Sequence, residues 1–366
     1  MRYHWSAFII VLIILAGSVP ATAQNSSRAW TPYAQAVYSS PDRASHIVAI
    51  LSPRSEIVLE ARDAAAHWVL GHSLDGSARG WVEIRHLKYD SEVNINSLPV
   101  SLEEMFVSGI ENAAYHTIDL NDYPVIPTDF GRAREIFEYG KMRGLSPNVI
   151  SKVGDCISDN QHFLSPFGWK QYNLGDYGQL QPVIDYFALS LAYDSQAAYN
   201  GLVTAAALDP AFANPMACVP GESPLRCEYR IHDSSVAIIM FGAQDLLFTT
   251  PEEFDRNLRQ IIHETIQVGV VPILSTFPGN LEMWERSIQY NQIVVQVALD
   301  FDIPLMNLWR ALDPLPNHGL NDDGRHLSQP ITNSGDLSGP NLQRGYPLRN
   351  LITLQTLDAV WRGVMY

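Results

Sequence analysis

Between residues 34 and 89 apolar and polar positions alternate in short runs separated by turn residues, with no helical period. The runs 47–51, 56–61, 68–72 and 80–84 are rich in β-branched and aromatic residues and predict strands, and Asp75-Gly76 between two of them predicts a hairpin-type turn. Such a row of short strands predicts a small all-β barrel over residues 30–90. Residues 91–125 hold no clean period, and 121–127 is the stretch richest in breakers, so they read as a linker with one short helix. From 126 to 366 the pattern changes. A helix is predicted at 132–143 and a strand at 149–153 that ends on Gly154, followed by a fully apolar strand at 236–241. The next helix carries its own start signals: Thr250 as cap, Pro251 at the first position and Glu253 where a capping box needs it. Phe254, Leu258, Ile261 and Ile262 form its inward face and Gly269 ends it. A strand at 270–275, a helix at 284–299 and a strand at 303–308 complete the series. Strands alternating with helices predict an α/β domain, a parallel sheet with helices on both faces.

The first residues add a different signal. Arg2 precedes an apolar run at 7–17, and Ala21-Thr22-Ala23 stands before Gln24. Residues 1–23 therefore read as a signal peptide, because the run is about half of the roughly 20 residues a spanning helix needs; an uncleaved anchor is the minority reading. No later segment is long or apolar enough to span a bilayer, so the expected location is secreted or cell-envelope associated. Charge narrows the partners. With 24 Lys and Arg against 39 Asp and Glu, the 366-residue chain has a net charge of −15, which excludes nucleic acid as the main partner. Hydrophobic residues make up 46% of it, too many for a disordered chain.

Export changes how three cysteines are read. Cys218 and Cys227 bracket a Pro- and Gly-rich stretch that can turn back on itself, and we expect them to pair. That leaves Cys156 as an odd cysteine, which signals an intermolecular bridge or a reactive thiol. No two cysteines sit at C-x-x-C spacing and no histidine pair completes a set, so no metal and no cofactor is expected.

In an open α/β sheet, ligands bind beyond the carboxyl ends of the strands. Four places there carry chemistry: Gly154-Asp155-Cys156-Ile157-Ser158, Asn200-Gly201, Gly242-Ala243-Gln244-Asp245 and Asp323-Gly324-Arg325-His326. In this order they resemble the four blocks of the SGNH or GDSL-type hydrolases: a G-D-S turn, a loop glycine, a G-x-N-D turn and a late D-x-x-H. The resemblance covers roughly 130–366 and implies a flavodoxin-like three-layer fold and an ester-hydrolase site. It implies Cys156 as nucleophile and His326 as its base, with Asp323 orienting the imidazole. Cys156, Gly201 and Gln244 would form the oxyanion hole. Two positions depart from the family pattern, since cysteine stands for serine and glutamine for asparagine. Asp159 and His162 repeat the D-x-x-H spacing, but they lie on the nucleophile's own segment and cannot face it as a base from another strand end must. Ser158 lies two residues past the turn and is a poor substitute nucleophile. In the first domain, Val37-Tyr38 near Pro41-Asp42, Trp68-Val69, and Gly80-Trp81-Val82 leading to Leu87 resemble a bacterial SH3-like domain, which implies contact with cell-wall peptide or glycan.

Two functions follow. One is an exported esterase acting on O-acyl groups, such as acetyl, of glycans or on another small ester. A thiol beside an imidazolium drops below its usual pKa of about 8.5, so this reading expects Cys156 to alkylate faster than a free cysteine. The other is a catalytically impaired scaffold that binds glycan or envelope ligands, because the Gln244 amide sits one methylene farther out than asparagine's would.

Overall fold

The computed structural model describes residues 27–41, 47–63, 66–101 and 117–366; residues 1–23, expected as a signal peptide, and part of the expected linker lie outside them. The chain divides into two compact units, 1–104 and 105–366.

The first unit is an antiparallel sheet. Its strands are β1 (Arg28–Trp30), β2 (Gln35–Tyr38), β3 (Ile47–Leu51), β4 (Glu56–Arg62), β5 (Trp68–Ser73), β6 (Arg79–Glu83) and β7 (Lys88–Tyr89), in the order β3-β2-β6-β5-β4-β1-β7. The β5–β6 hairpin turns at the expected pair. Gly76 takes φ +70°, and the Asp75 carboxylate accepts from the Ser73 hydroxyl and from the Ser77 N–H and hydroxyl. These bonds hold that carboxyl down to about 2. Ile84, expected at the end of β6, instead opens the 3-10 turn Ile84–His86. Ala29, Val37, Ile57, Leu59, Val69 and Val82 form one apolar cluster, and Ala61, Trp68, Leu70 and Trp81 form another with Tyr38. Trp68 and Trp81 are therefore core residues, with the Tyr38 ring meeting Trp68 edge-on at 5.4 Å.

The second unit is α/β. Strands β8 (Ser146–Gly154), β9 (Ser234–Met240), β10 (Val271–Ser275) and β11 (Leu305–Met306) lie side by side in chain order, each neighbouring pair parallel. A parallel bridge from Gly154 to Ala198 adds a further position outside β8, giving the order 2-1-3-4-5 of a doubly wound sheet. The helix Pro251–Gln267 forms as its start signals dictate. The Thr250 hydroxyl accepts from the Glu253 N–H at 3.2 Å, while the Glu253 carboxylate accepts from the Thr250 N–H at 2.9 Å. Phe254, Leu258, Ile261 and Ile262 are all fully buried.

The strand expected at 303–308 is cut to two residues, and Asn307 is the cause. Its N–H donates to Val125 O, its Nδ2 to Leu120 O and Tyr123 O, and its Oδ1 caps the helix Leu308–Leu312 through the Arg310 N–H. Those bonds take the backbone out of the sheet and fix residues 120–125 to this unit.

Cys218 and Cys227 form a disulfide at a sequence separation of 9. Replacing both by alanine is expected to lower stability by about 2–3 kcal/mol, the loop-closure entropy of so short a ring, measured by thermal unfolding of purified protein. A loss below about 0.5 kcal/mol would mean the loop is held by its other contacts.

Candidate active site

The sheet delivers its first chemical group at the end of β8. A Cβ on Gly154 would lie 2.2 Å from Met240 O, so only glycine lets this strand end run so close to β9. Asp155 then caps the short helix Cys156–Asp159, its Oδ1 accepting from the Ile157 N–H at 3.0 Å, which leaves Cys156 at the helix's first position. The end of β9 delivers the second group. Gly242 takes φ +130°, where a Cβ would strike the Phe277 ring, and two residues later Gln244 sends Nε2 to within 3.8 Å of Cys156 Sγ.

The third group comes on the loop after β11, where Leu320 and Leu327 pair as a bridge and the Asn321 N–H donates to His326 O. His326 Nε2 lies 3.5 Å from Cys156 Sγ, and its Nδ1 lies 2.8 Å from Asp323 Oδ2. With Nδ1–H donated to the carboxylate, Nε2 is left to accept the S–H proton. Asp323 Oδ1 meanwhile accepts from the N–H groups of Arg325 and His326. Partial burial works to raise the Asp323 pKa, but those N–H bonds and the imidazole outweigh it and hold the carboxyl below its usual range.

The electrostatics beneath the thiol run against the sequence expectation. Burial, aided by the charge of Asp155, pushes Cys156 up to about 11 despite the amide of Gln244 and the N–H groups of the helix start. The thiol is therefore neutral at rest, hydrogen-bonded to the imidazole rather than paired with it as an ion. At pH 7.5 it is expected to react with iodoacetamide about a hundredfold more slowly than a free cysteine, since its pKa stands about two units above the ordinary 9.0. A rate equal to free cysteine would return the thiol to its ordinary pKa, and only a much faster one would establish a resting thiolate.

Three buried charges support the site without touching the thiol, and the sequence motifs did not single them out for that role. Arg349, on the helix Gly345–Val360, is wholly buried. It donates to Ile157 O at 2.6 Å and to Ser158 Oγ at 3.0 Å, and its guanidinium lies 3.6 Å from the centre of the Phe163 ring. Asp155 and Asp245 are equally buried, and burial raises each to about 6. Asp245 Oδ1 accepts from both the N–H and the hydroxyl of Thr204, tying the turn that carries Gln244 to the loop that carries Gly201. The readable signal was a lone arginine in an otherwise mostly apolar helix.

The structure thus brings Cys156, Gln244, His326 and Asp323 together. Gly201 sits in an exposed turn at φ +86°, and no described contact joins it to Cys156. Ser158 is buried with its hydroxyl held by Arg349, and the His162 ring lies tilted against Tyr346 at 5.4 Å, with no described bond to Cys156. Among the described residues, one group of sulfur and carboxylate atoms is close enough to grip a cation: Cys218, Glu222 and Cys227. Both of its sulfurs are spent in the disulfide. Among those residues, too, no helix is long and apolar enough to cross a membrane.

No family model matches the chain, and no curated protein does. Among solved structures it is similar to the lipase/acylhydrolase from Enterococcus faecalis, at 20% identity over 56% of this chain and 93% of that one, with a TM-score of 0.37. A GDSL-like lipase from Bacteroides thetaiotaomicron is 12% identical, covering 62% of this chain and 98% of its own, with a TM-score of 0.38. A catalytic mutant of an acetylxylan esterase from Geobacillus stearothermophilus is 15% identical over 57% of this chain and 93% of its own, with a TM-score of 0.37.

Proposed function

We propose that this protein is an ester hydrolase with a thiol nucleophile, exported through its first 23 residues and acting on O-acyl groups of glycans or on other small esters. The observation that carries the reading is the chain of contacts from Cys156 Sγ through the His326 ring to the Asp323 carboxylate, 3.5 Å and 2.8 Å. In the first step Sγ attacks the acyl carbon while its proton passes to His326 Nε2. The C–O bond then breaks, and the departing alkoxide takes that proton. Water attacks the resulting thioester and gives a proton to Nε2; the C–S bond breaks, the acid leaves, and the thiolate takes that proton back to restore the thiol. The Gln244 amide and the Cys156 N–H are the donors this reading offers to the developing oxyanion. The resemblance of the first unit to bacterial SH3-like domains fits a role in holding the enzyme at cell-wall peptide or glycan.

A second reading, a retired site that only binds, has its own support. Gln244 Nε2 is directed at the sulfur itself, and the thiol is held protonated by burial. Hydrolysis of p-nitrophenyl acetate by the protein without residues 1–23 separates the two. The hydrolase reading expects turnover that Cys156→Ala abolishes. A silent wild type alongside an active Cys156→Ser, Gln244→Asn double variant would favour the binder.

A further inference from the structure

Cys156 and Gln244, the two departures from the hydrolase pattern, face each other. Gln244 Nε2 lies 3.8 Å from Cys156 Sγ, and among the described residues no other group bonds the Gln244 side-chain amide. The backbones that carry the pair are held at a set spacing. Asp155 caps the helix that Cys156 opens; burial raises its carboxyl, and the N–H groups of Ile157 and Gln244 both work against that rise. The two turns thus meet at one buried carboxyl. The turn of Gln244 is pinned on either flank as well. A Cβ on Gly242 would strike the Phe277 ring, and Asp245 Oδ1 accepts from the Thr204 N–H at 3.0 Å and from its hydroxyl at 2.6 Å. How far a donor reaches from position 244 is therefore decided by the length of its side chain.

Sulfur changes the length that is needed. A C–S bond is longer than a C–O bond, and a thiol nucleophile has two of them: Cβ–Sγ, and the bond from Sγ to the acyl carbon. The tetrahedral carbon of a thiol adduct, and the oxyanion on it, stand farther from the backbone of residue 156 than those of a serine adduct would. The Cys156 N–H belongs to that backbone and cannot follow. Gly201 has no described contact with Cys156 and sits in an exposed turn. Position 244 is left to reach the displaced oxyanion, and glutamine carries its amide one methylene farther than asparagine. Oxyanion donors act at about 2.7–3.1 Å, so a difference of one methylene decides whether the bond forms.

We propose that the two departures are a matched pair: Gln244 is an oxyanion donor fitted to a sulfur nucleophile, and each of the two residues is impaired without the other. The inference rests on the thiol-hydrolase reading and adds the residue that makes the site specific for a thiol. Its test is a double-mutant cycle in kcat/KM for p-nitrophenyl acetate, with the wild type, Cys156→Ser, Gln244→Asn and the double variant. Gln244→Asn is expected to lose about 10²-fold, the cost of one oxyanion donor, and Gln244→Ala to lose as much. Cys156→Ser with glutamine retained is expected to lose about 10²-fold or more, and adding Gln244→Asn to it to recover about tenfold or more. A folding defect would compound in the double variant, whereas a mismatch in reach is relieved there. Losses that multiply in the double variant, or a Gln244→Asn enzyme as active as the wild type, overturn the pairing and leave the hydrolase reading in place. A wild type without turnover removes the hydrolase reading itself, and the pairing with it.

Discussion

Hydrolysis by a His326→Ala variant is expected to fall about 10³-fold or more at pH 7, and the deficit to close as the pH is raised. The magnitude is that of a general base removed from a nucleophile that cannot ionise unaided. The pH dependence follows from the Cys156 thiol standing at about 11. At pH 7 roughly one thiol in ten thousand is then ionised, and each unit of rising pH multiplies that fraction by about ten. A protein without the imidazole depends on this fraction, so its rate should climb about tenfold per unit toward pH 10. The wild type, which passes the proton to Nε2 within the attack, should climb far less over the same range. Rates measured from pH 7 to 10 on both proteins check this. A His326→Ala loss below about tenfold at pH 7 would remove the imidazole from the chemistry, whatever its distance from the sulfur.

Arg349→Met is expected to lower the stability of the α/β unit by about 3–5 kcal/mol, the usual cost of breaking a buried charge arrangement by removing one member. The guanidinium donates to Ile157 O and Ser158 Oγ, and its charge is part of what holds down the pKa of the wholly buried Asp155. Asp155 Oδ2 is already buried without a hydrogen-bond partner, and methionine fills much of the arginine's space but removes the positive charge that favours the carboxylate. Adding Asp155→Asn should therefore recover part of the loss, which a simple packing defect would not allow. Calorimetric unfolding of the wild type, both single variants and the double variant gives the coupling directly. A single-variant loss under about 1 kcal/mol would mean that the arginine's charge is idle.

The pair Asp155 and Asp245 also sets how stability varies with pH. Each folded-state pKa is raised from 3.8 to about 6, so the folded form holds protons that the unfolded form has released between those values. Their stabilising contribution is complete below about pH 4 and is lost as the pH rises through 6. An Asp245→Asn variant should accordingly lose less stability than the wild type between pH 4 and 6.5, as denaturant unfolding at the two pH values will measure.

The parts of this molecule legible in its sequence are those set by neighbours along the chain. Thr250, Pro251 and Glu253 act within one turn, so the start of that helix could be read to the residue. Asp323 and His326 lie three apart on one loop, and their mutual bond follows from that spacing. What was not legible depends on groups far apart in sequence. The run 303–308, apolar but for Asn307, looks like a strand until Asn307 is seen bonding Leu120, Tyr123 and Val125. A thiol beside an imidazole looks activated until Asp155 and the surrounding burial are counted against it. The glutamine at 244 was visible as a departure, but its aim at the sulfur needed the strand ends in place.

The dependence of the Cys156 turn on Arg349 also has a consequence in time. A ribosome makes Cys156 nearly two hundred residues before the arginine that holds the two residues after it, and His326 likewise comes late. Through most of synthesis the thiol is an isolated cysteine, without a partner to take its proton or the packing that raises its pKa. The turn that carries Cys156 gains its Arg349 bonds only when the helix Gly345–Val360 has docked, so the assembly of this site reports the end of folding and not its beginning. A chain stopped short of Arg349 would carry every motif of the site and still lack its foundation.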